Sequence, residues 1–254
     1  MEAATHFLES IAAPTPCMLS LFTFERIRFK GMLLVALPLG FGCALILTVS
    51  EQLIHPDQYF SLVDFLQNVS VYSACTLLAL LFAEQCTLEG FLVKRAGSWL
   101  KKVGLILVYG GLAGIAMGFV YHRWHALYRF GARVPFRLRR MTTFYDSFIL
   151  SLSAAVTEEL VFRLLLFTSF LWILSWLFQP ILTMNGGLNR WIPLVFAVVF
   201  SSLLFGFVHG IYGFIFAFGA GVTLCLIFLR GGLESAVLAH FLANLVFFNL
   251  TYLK

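Results

Sequence analysis

Long apolar stretches without a single charge constrain this chain more than any other feature of its sequence. No Asp, Glu, Lys or Arg lies between Lys30 and Glu51, and two similar stretches follow at 65–83 and 103–121. About 20 consecutive apolar residues are enough for one helix to cross a bilayer. The sequence therefore predicts an all-α fold, a polytopic bundle of transmembrane helices.

The composition excludes a soluble globular domain. Hydrophobic residues make up 61% of the 254 residues, and charged residues make up 11%. Soluble domains have roughly 45–50% apolar and about 25% charged residues. Because a soluble domain of this length needs a charged surface, most of this surface must face lipid. We predict an integral multi-pass membrane protein, in the cell membrane if its source is prokaryotic.

The second half of the chain contains four more candidate spans. Residues 147–178 would form a helix on the order of 48 Å long, which exceeds the roughly 30 Å hydrocarbon core, so it must tilt, project or break. Pro180 and the Asn185-Gly186-Gly187 turn are expected to end it. Arg230-Gly231-Gly232 is expected to separate the last two spans. The three later spans are 192–210, 211–229 and 235–253. The predicted count is seven, within a range of six to eight.

Four regions follow from these spans. They are an interfacial N-terminal segment at 1–30, three N-terminal helices at 31–121, a basic interfacial loop at 122–146, and a core of about four helices at 147–254. The basic residues lie between spans, so they indicate topology signals and contacts with the lipid bilayer, and no nucleic-acid partner. Five scattered cysteines without a C-x-x-C pair predict neither a disulfide framework nor a thiolate zinc site.

Two adjacent carboxylates and an arginine lie inside the apolar stretch 147–178. Ionisable groups at membrane depth are costly, so they usually face a polar cavity and serve a function. On a helix Glu158 and Glu159 point about 100° apart, whereas Arg163 follows Glu159 by four residues, the spacing at which side chains meet. We predict a Glu159–Arg163 ion pair that leaves Glu158 facing a cavity; an Arg163 shared by both carboxylates, or a purely structural salt bridge, are the alternatives.

Two histidines and an asparagine are also predicted to lie in the membrane. His209 ends the span 192–210, with Phe205 one turn earlier on the same face, and His240 shares a helix face with Asn244. Each feature alone is typical of a structural hydrogen bond, worth roughly 1 kcal/mol in a bundle. Together with Glu158, however, these groups can meet at one buried point. The remaining histidines are predicted to lie in terminal or loop segments: His6, His55, His122 and His125.

Two hydrolytic chemistries fit this set of side chains. In the first, Glu158 and His209 hold and deprotonate a water, and His240 with Asn244 donates hydrogen bonds to the developing oxyanion. In the second, Glu158, His209 and His240 bind a divalent metal such as Zn, which activates the water. The one-helix H-E-x-x-H signature of zinc peptidases is absent from the sequence. The residues leave both chemistries open, and the cofactor is not determined.

The three motifs E-E-x-x-x-R, F-x-x-x-H and H-x-x-x-N, in this order over roughly 145–250, resemble the CPBP family of intramembrane proteases. That family includes the type II CAAX prenyl endopeptidases. The resemblance implies that 147–254 is a catalytic core that cleaves a membrane-associated protein or peptide near the bilayer surface. It implies that Glu158 is the base and Glu159 its companion, and that Arg163 orients the two carboxylates. It further implies that His209 helps to activate water, and that His240 and Asn244 stabilise the oxyanion or complete a metal site.

One position departs from the pattern of the family, because Leu164 follows Arg163 where a Gly is common. The departure is expected to alter packing beside the site without abolishing activity. Two other functions compete with proteolysis. One is a proton- or ion-coupled transporter whose relay is formed by the carboxylates and imidazoles. The other is a non-proteolytic scaffold or immunity protein, and no missing motif residue favours it.

Overall fold

The computed structural model describes residues 26–54, 60–85, 103–128, 143–184 and 191–252. Within these ranges the backbone is almost entirely helical and contains no strand, which confirms the predicted all-α fold. Six of the described helices are long and apolar enough to cross a membrane, so the predicted range of six to eight spans is also confirmed. The predicted N-terminal segment lies outside the described residues up to residue 25.

The N-terminal helices form a layer beside the site. Helix α1 spans Arg26–Ile54 and α2 spans Leu62–Gln85. A third helix is α-helical at 103–105, passes through a π segment at Ile106–Leu112 and continues as α3, Ala113–Tyr128. His122 and His125 therefore lie in a helix, and the prediction that they lie in a loop is wrong. The chain between α3 and residue 143, which includes most of the predicted basic loop, lies outside the described residues.

One long helical unit carries the two carboxylates. Helix α4, Phe144–Glu159, begins at a capping box in which the Thr143 side chain accepts from the backbone N–H of Asp146 and the Asp146 carboxylate accepts in return. It continues without a break into the π segment, Leu160–Phe167, and then into α5, Thr168–Met184. Pro180 lies inside α5, so the expectation that this proline ends the helix is wrong. Neighbouring helices in a membrane bundle make such prolines tolerable.

The last two helices, α6 and α7, enclose the carboxylates from the other side. Helix α6 is Trp191–Val208 and α7 is Gly210–Thr251. At Gly232 the α7 backbone leaves helical geometry, with φ 83° and ψ −178°. The imidazoles of His209 and His240 both lie 3.8 Å from Glu158 Oε2, whereas a straight helix would separate the two residues by about 46 Å. The chain therefore doubles back at Gly232.

The two arms of α7, residues 210–231 and 233–251, correspond to the predicted sixth and seventh spans. The second arm packs parallel to the third helix, because Gly110 approaches Ser235 while Gly118 approaches Ala243. Small residues let helix backbones approach closely in lipid. This close packing fixes the depth of the second arm, which carries His240.

Candidate active site

A buried ion pair anchors the site. Glu159 is 0% exposed and Arg163 is 1% exposed, and Arg163 Nε lies 3.1 Å from Glu159 Oε2. The pair predicted from their spacing is thus present. Arg163 lies within the π segment, so this wider helical turn sets the direction of the Arg163 side chain relative to Glu159. Such turns are frequent at functional sites. Pairing makes burial of both charges tolerable, since an isolated charge at this depth would be strongly destabilising.

The same carboxylate holds His240 from the second arm of α7. His240 Nδ1 lies 2.8 Å from Glu159 Oε1. A carboxylate accepts hydrogen bonds, so Nδ1 carries the proton that is donated to Glu159. The second ring nitrogen, Nε2, is then left to face the cavity. Glu159 therefore orients two residues, one through each of its oxygens.

His209 lies at the junction between α6 and α7, where Gly210 has a φ of 74°. Its Nδ1 lies 2.7 Å from the carbonyl oxygen of Phe205. Because a carbonyl can only accept, this nitrogen must carry the proton. His209 Nε2 is thus also directed away from the backbone, toward Glu158.

Glu158 is the point where the two imidazoles meet. Its Oε2 lies 3.8 Å from His209 Nε2 and 3.8 Å from His240 Nε2. That oxygen is buried and forms no hydrogen bond within the described part of the chain, although 30% of the side chain is exposed. The separations exceed direct hydrogen-bonding distance, and contacts of this length are typically bridged by a small polar species such as water.

Asn244 is half-buried and lies one turn after His240 on the second arm. It forms no hydrogen bond or ion pair with the residues that the structure describes. Its carboxamide is therefore free to donate to another group. The structure brings Glu158, Glu159, Arg163, His209 and His240 into contact, and it places Asn244 beside them without connecting it to them.

Buried hydroxyls attach α4 to its neighbours on both sides. Ser147 accepts from Asn249 Nδ2 at 2.7 Å, and Ser50 of α1 donates to Ser153 at 3.1 Å. These bonds connect α4 to the second arm of α7 and to the N-terminal layer. Because Glu158 lies near the end of α4, they limit how far its carboxylate can move relative to His240.

The metal set named from the sequence, Glu158, His209 and His240, has suitable donor atoms. A metal-bound imidazole usually donates its other N–H to a carboxylate or a backbone carbonyl. The Nδ1 atoms of His240 and His209 donate to a carboxylate and a carbonyl in this way. However, no group of three or more His, Cys, Asp or Glu side chains is arranged to hold a metal ion in the described ranges. The three side chains stay candidate ligands from the sequence, and the choice between water-only and metal-assisted hydrolysis stays a prediction.

Sequence reasoning missed two contributors to the site. The Phe205 ring touches Arg163 and both imidazoles, although F-x-x-x-H had marked the residue. The π segment had no signal in hydropathy, because an apolar run looks the same whether its hydrogen bonds span four or five residues.

The fold and the site together define an integral multi-pass membrane protein whose acid–imidazole centre is partly buried, with 30% of Glu158 and 37% of His209 exposed. Residues 140–246 match the family model described as type II CAAX prenyl endopeptidase Rce1-like. The match supports the assignment of this region to the CAAX protease family, which the three motifs predicted. This family implies a protease, a hydrolase of the intramembrane type. Searches of curated proteins and of solved structures each found no match.

Proposed function

We propose that the protein is an intramembrane endopeptidase that hydrolyses a peptide bond of a membrane-associated protein or peptide by direct attack of water. The observation that carries this proposal is the position of Glu158 Oε2, at 3.8 Å from the Nε2 atoms of both His209 and His240. A water at this point can donate one hydrogen to Glu158 Oε2 and the other to His209 Nε2, which leaves His240 Nε2 to face the substrate. Glu158 then accepts a proton from this water as its oxygen attacks the scissile carbonyl.

His209 and Glu158 share the task of holding and deprotonating the water. The Phe205 carbonyl fixes the His209 tautomer, so Nε2 presents a lone pair to the water. After attack, the proton taken by Glu158 passes to the amide nitrogen of the leaving group. The bond between the carbonyl carbon and that nitrogen then breaks, and the two products are a carboxylic acid and an amine.

His240 and Asn244 stabilise the oxyanion in this scheme. Glu158, Glu159 and Arg163 together carry one net negative charge, which one imidazolium would neutralise. A protonated His240, held through Nδ1 by Glu159, donates from Nε2, and the Asn244 amide donates from one turn away. Removal of one oxyanion donor typically costs about 10²–10³ in kcat.

A farnesylated peptide ending in a CAAX sequence is the first probe, because the matching family is described by that substrate class. A sorting-tail peptide and a leader peptide complete the panel. We expect purified protein in detergent to cleave at least one probe, and Glu158→Ala and His209→Ala to abolish cleavage. Asp64→Asn, an exposed carboxylate in the first turn of α2, is the matched control and should cleave normally.

Chelator is added in a parallel arm of the same experiment. The water-only chemistry predicts that cleavage survives chelation, whereas loss of cleavage and recovery with Zn²⁺ would favour the metal chemistry instead. Full cleavage by folded Glu158→Ala and His209→Ala would contradict the proposal as a whole.

A further inference from the structure

The side chain of Phe205 occupies the centre of the site, although the family resemblance gives it no role. Its ring is 2% exposed. The ring centroid lies 4.4 Å from Arg163 Cζ, 4.6 Å from the His209 ring and 5.8 Å from the His240 ring. A single aromatic ring thus contacts the cation and both imidazoles. Phe162, in the π segment, packs edge-on against it at 5.0 Å.

Arg163 needs a partner that the hydrogen bonds do not supply. Its Nη1 and Nη2 atoms are buried and form no hydrogen bond within the described ranges, and only its Nε pairs with Glu159. The face of an aromatic ring carries partial negative charge and attracts a guanidinium within about 6 Å of its centroid, most strongly when water is excluded. The Phe205 ring lies within that distance of a guanidinium that is 1% exposed.

The backbone and the side chain of Phe205 act separately on His209. The carbonyl oxygen fixes the tautomer of His209 through Nδ1. The ring packs against the imidazole plane at a tilt of 49°. Since a substitution removes the ring and keeps the carbonyl, the contribution of the ring can be measured alone.

We propose that the Phe205 ring is a positioning residue for the active site. Its face holds the Arg163 cation, which fixes Glu159, and Glu159 in turn fixes His240. The ring also supports His209 directly. Loss of the aromatic face allows Arg163 to shift, and both imidazoles then move out of position relative to Glu158. An error of about 1 Å at a reacting group can cost about 10²-fold in rate.

The first test replaces the ring in purified full-length protein. Phe205→Leu should lower kcat on the cleaved probe by about 10²-fold with little change in KM, because the loss falls on groups that act in the transition state. Phe228→Leu is the matched control: Phe228 is also buried and packs edge-on against Phe167 at 5.7 Å. It should retain its kcat. Equal kcat losses in the two variants would reduce Phe205 to ordinary core packing and overturn the proposal.

The second test keeps the shape of the ring and changes its charge distribution. Mono-, di- and trifluorinated phenylalanine at position 205 weaken the negative face stepwise. We expect kcat to fall stepwise with fluorination at 205 and to stay constant with the same series at 228. If kcat does not change with fluorination at position 205, the cation–π part of the inference is overturned.

A third readout needs no substrate, so it separates this inference from the proposed function on which the kinetic tests rest. NMR of isotope-labelled histidines in detergent micelles reports the tautomer and environment of each ring. In Phe205→Leu we expect both the His209 and the His240 signals to shift, the latter through Arg163 and Glu159. If the wild-type protein cleaves no probe but these shifts occur, the positioning role stands and the peptidase proposal fails. Unchanged His240 signals would overturn the positioning role.

Discussion

Gly114 offers a sharp test of how the bundle positions His240. A Cβ at this position would lie 2.5 Å from the carbonyl oxygen of Ala239 and 2.8 Å from its Cα. Both atoms belong to the backbone of the second arm, so no side-chain rotation can relieve the contact. Ordinary contact begins at 3.4 Å, and therefore Gly114→Ala must push the two helices apart by about 0.9 Å, the difference between 3.4 and 2.5 Å.

This displacement acts on the residue immediately before His240. Moving His240 by a similar amount would lengthen its 2.8 Å bond to Glu159 beyond hydrogen-bonding range. Overpacking of this kind typically costs about 1–3 kcal/mol. A shift of about 1 Å at a catalytic group can reduce the rate about 10²-fold. Alanine gains roughly 0.5–1 kcal/mol over glycine inside a helix, which offsets only part of the cost.

The assay compares Gly114→Ala with Gly111→Ala in thermal unfolding and probe cleavage. A Cβ at Gly111 meets nothing within 4 Å, so this control carries the same helix-propensity gain without the clash. We expect Gly114→Ala to unfold at lower temperature and to cleave far more slowly, whereas Gly111→Ala matches or exceeds the wild type. Identical behaviour of the two variants would refute the close packing of α3 against the second arm.

Three further predictions concern the ion pair, the π segment and the reversal of α7. Arg163→Met leaves the buried Glu159 charge without its cation and should destabilise the protein by about 3–5 kcal/mol. In a double-variant cycle measured by unfolding in detergent, the free-energy cost of Arg163→Met combined with Glu159→Gln should be less than the sum of the two single costs. At the end of the π segment, the buried Thr168 hydroxyl donates to the Leu164 carbonyl. Thr168→Val removes this bond and should cost about 1 kcal/mol and slow cleavage. Thr76→Val loses a similar bond to Tyr72 in α2 and should leave the cleavage rate unchanged. Gly232→Ala places a side chain at φ 83° and ψ −178°, a region that essentially only glycine adopts, and should cost about 1–3 kcal/mol in unfolding. A cost near zero would mean that the turn does not require glycine.

The sequence predicted the elements of this fold because the physical signals are local. Hydropathy locates the helices since each one must cross the same apolar layer. The i,i+4 rule predicted the Glu159–Arg163 pair, which the structure contains. The glycines at Arg230-Gly231-Gly232 marked the reversal, although the structure makes it at Gly232 without an intervening loop.

What the sequence could not predict depends on contacts between distant segments. The π segment and the helical Pro180 need neighbouring helices that a local pattern does not contain. Convergence of Glu158, His209 and His240 was a spatial hypothesis, and the distances between them depend on how α7 turns. The contacts of the Phe205 ring needed coordinates, because F-x-x-x-H places the residue on the face of His209 without showing that its ring also reaches Arg163 and His240.

The central claim is that Glu158 takes the proton of a water that it holds together with the His209 imidazole. The most direct measurement is the single-turnover rate of probe cleavage by Glu158→Gln, with enzyme in excess so that substrate binding and product release do not limit the signal. Glutamine keeps the shape of the side chain and cannot accept the proton. We predict a rate reduced by at least about 10²-fold, the usual contribution of a general base, in a protein that unfolds at the wild-type temperature. A Glu158→Gln protein that cleaves at the wild-type rate would contradict the account.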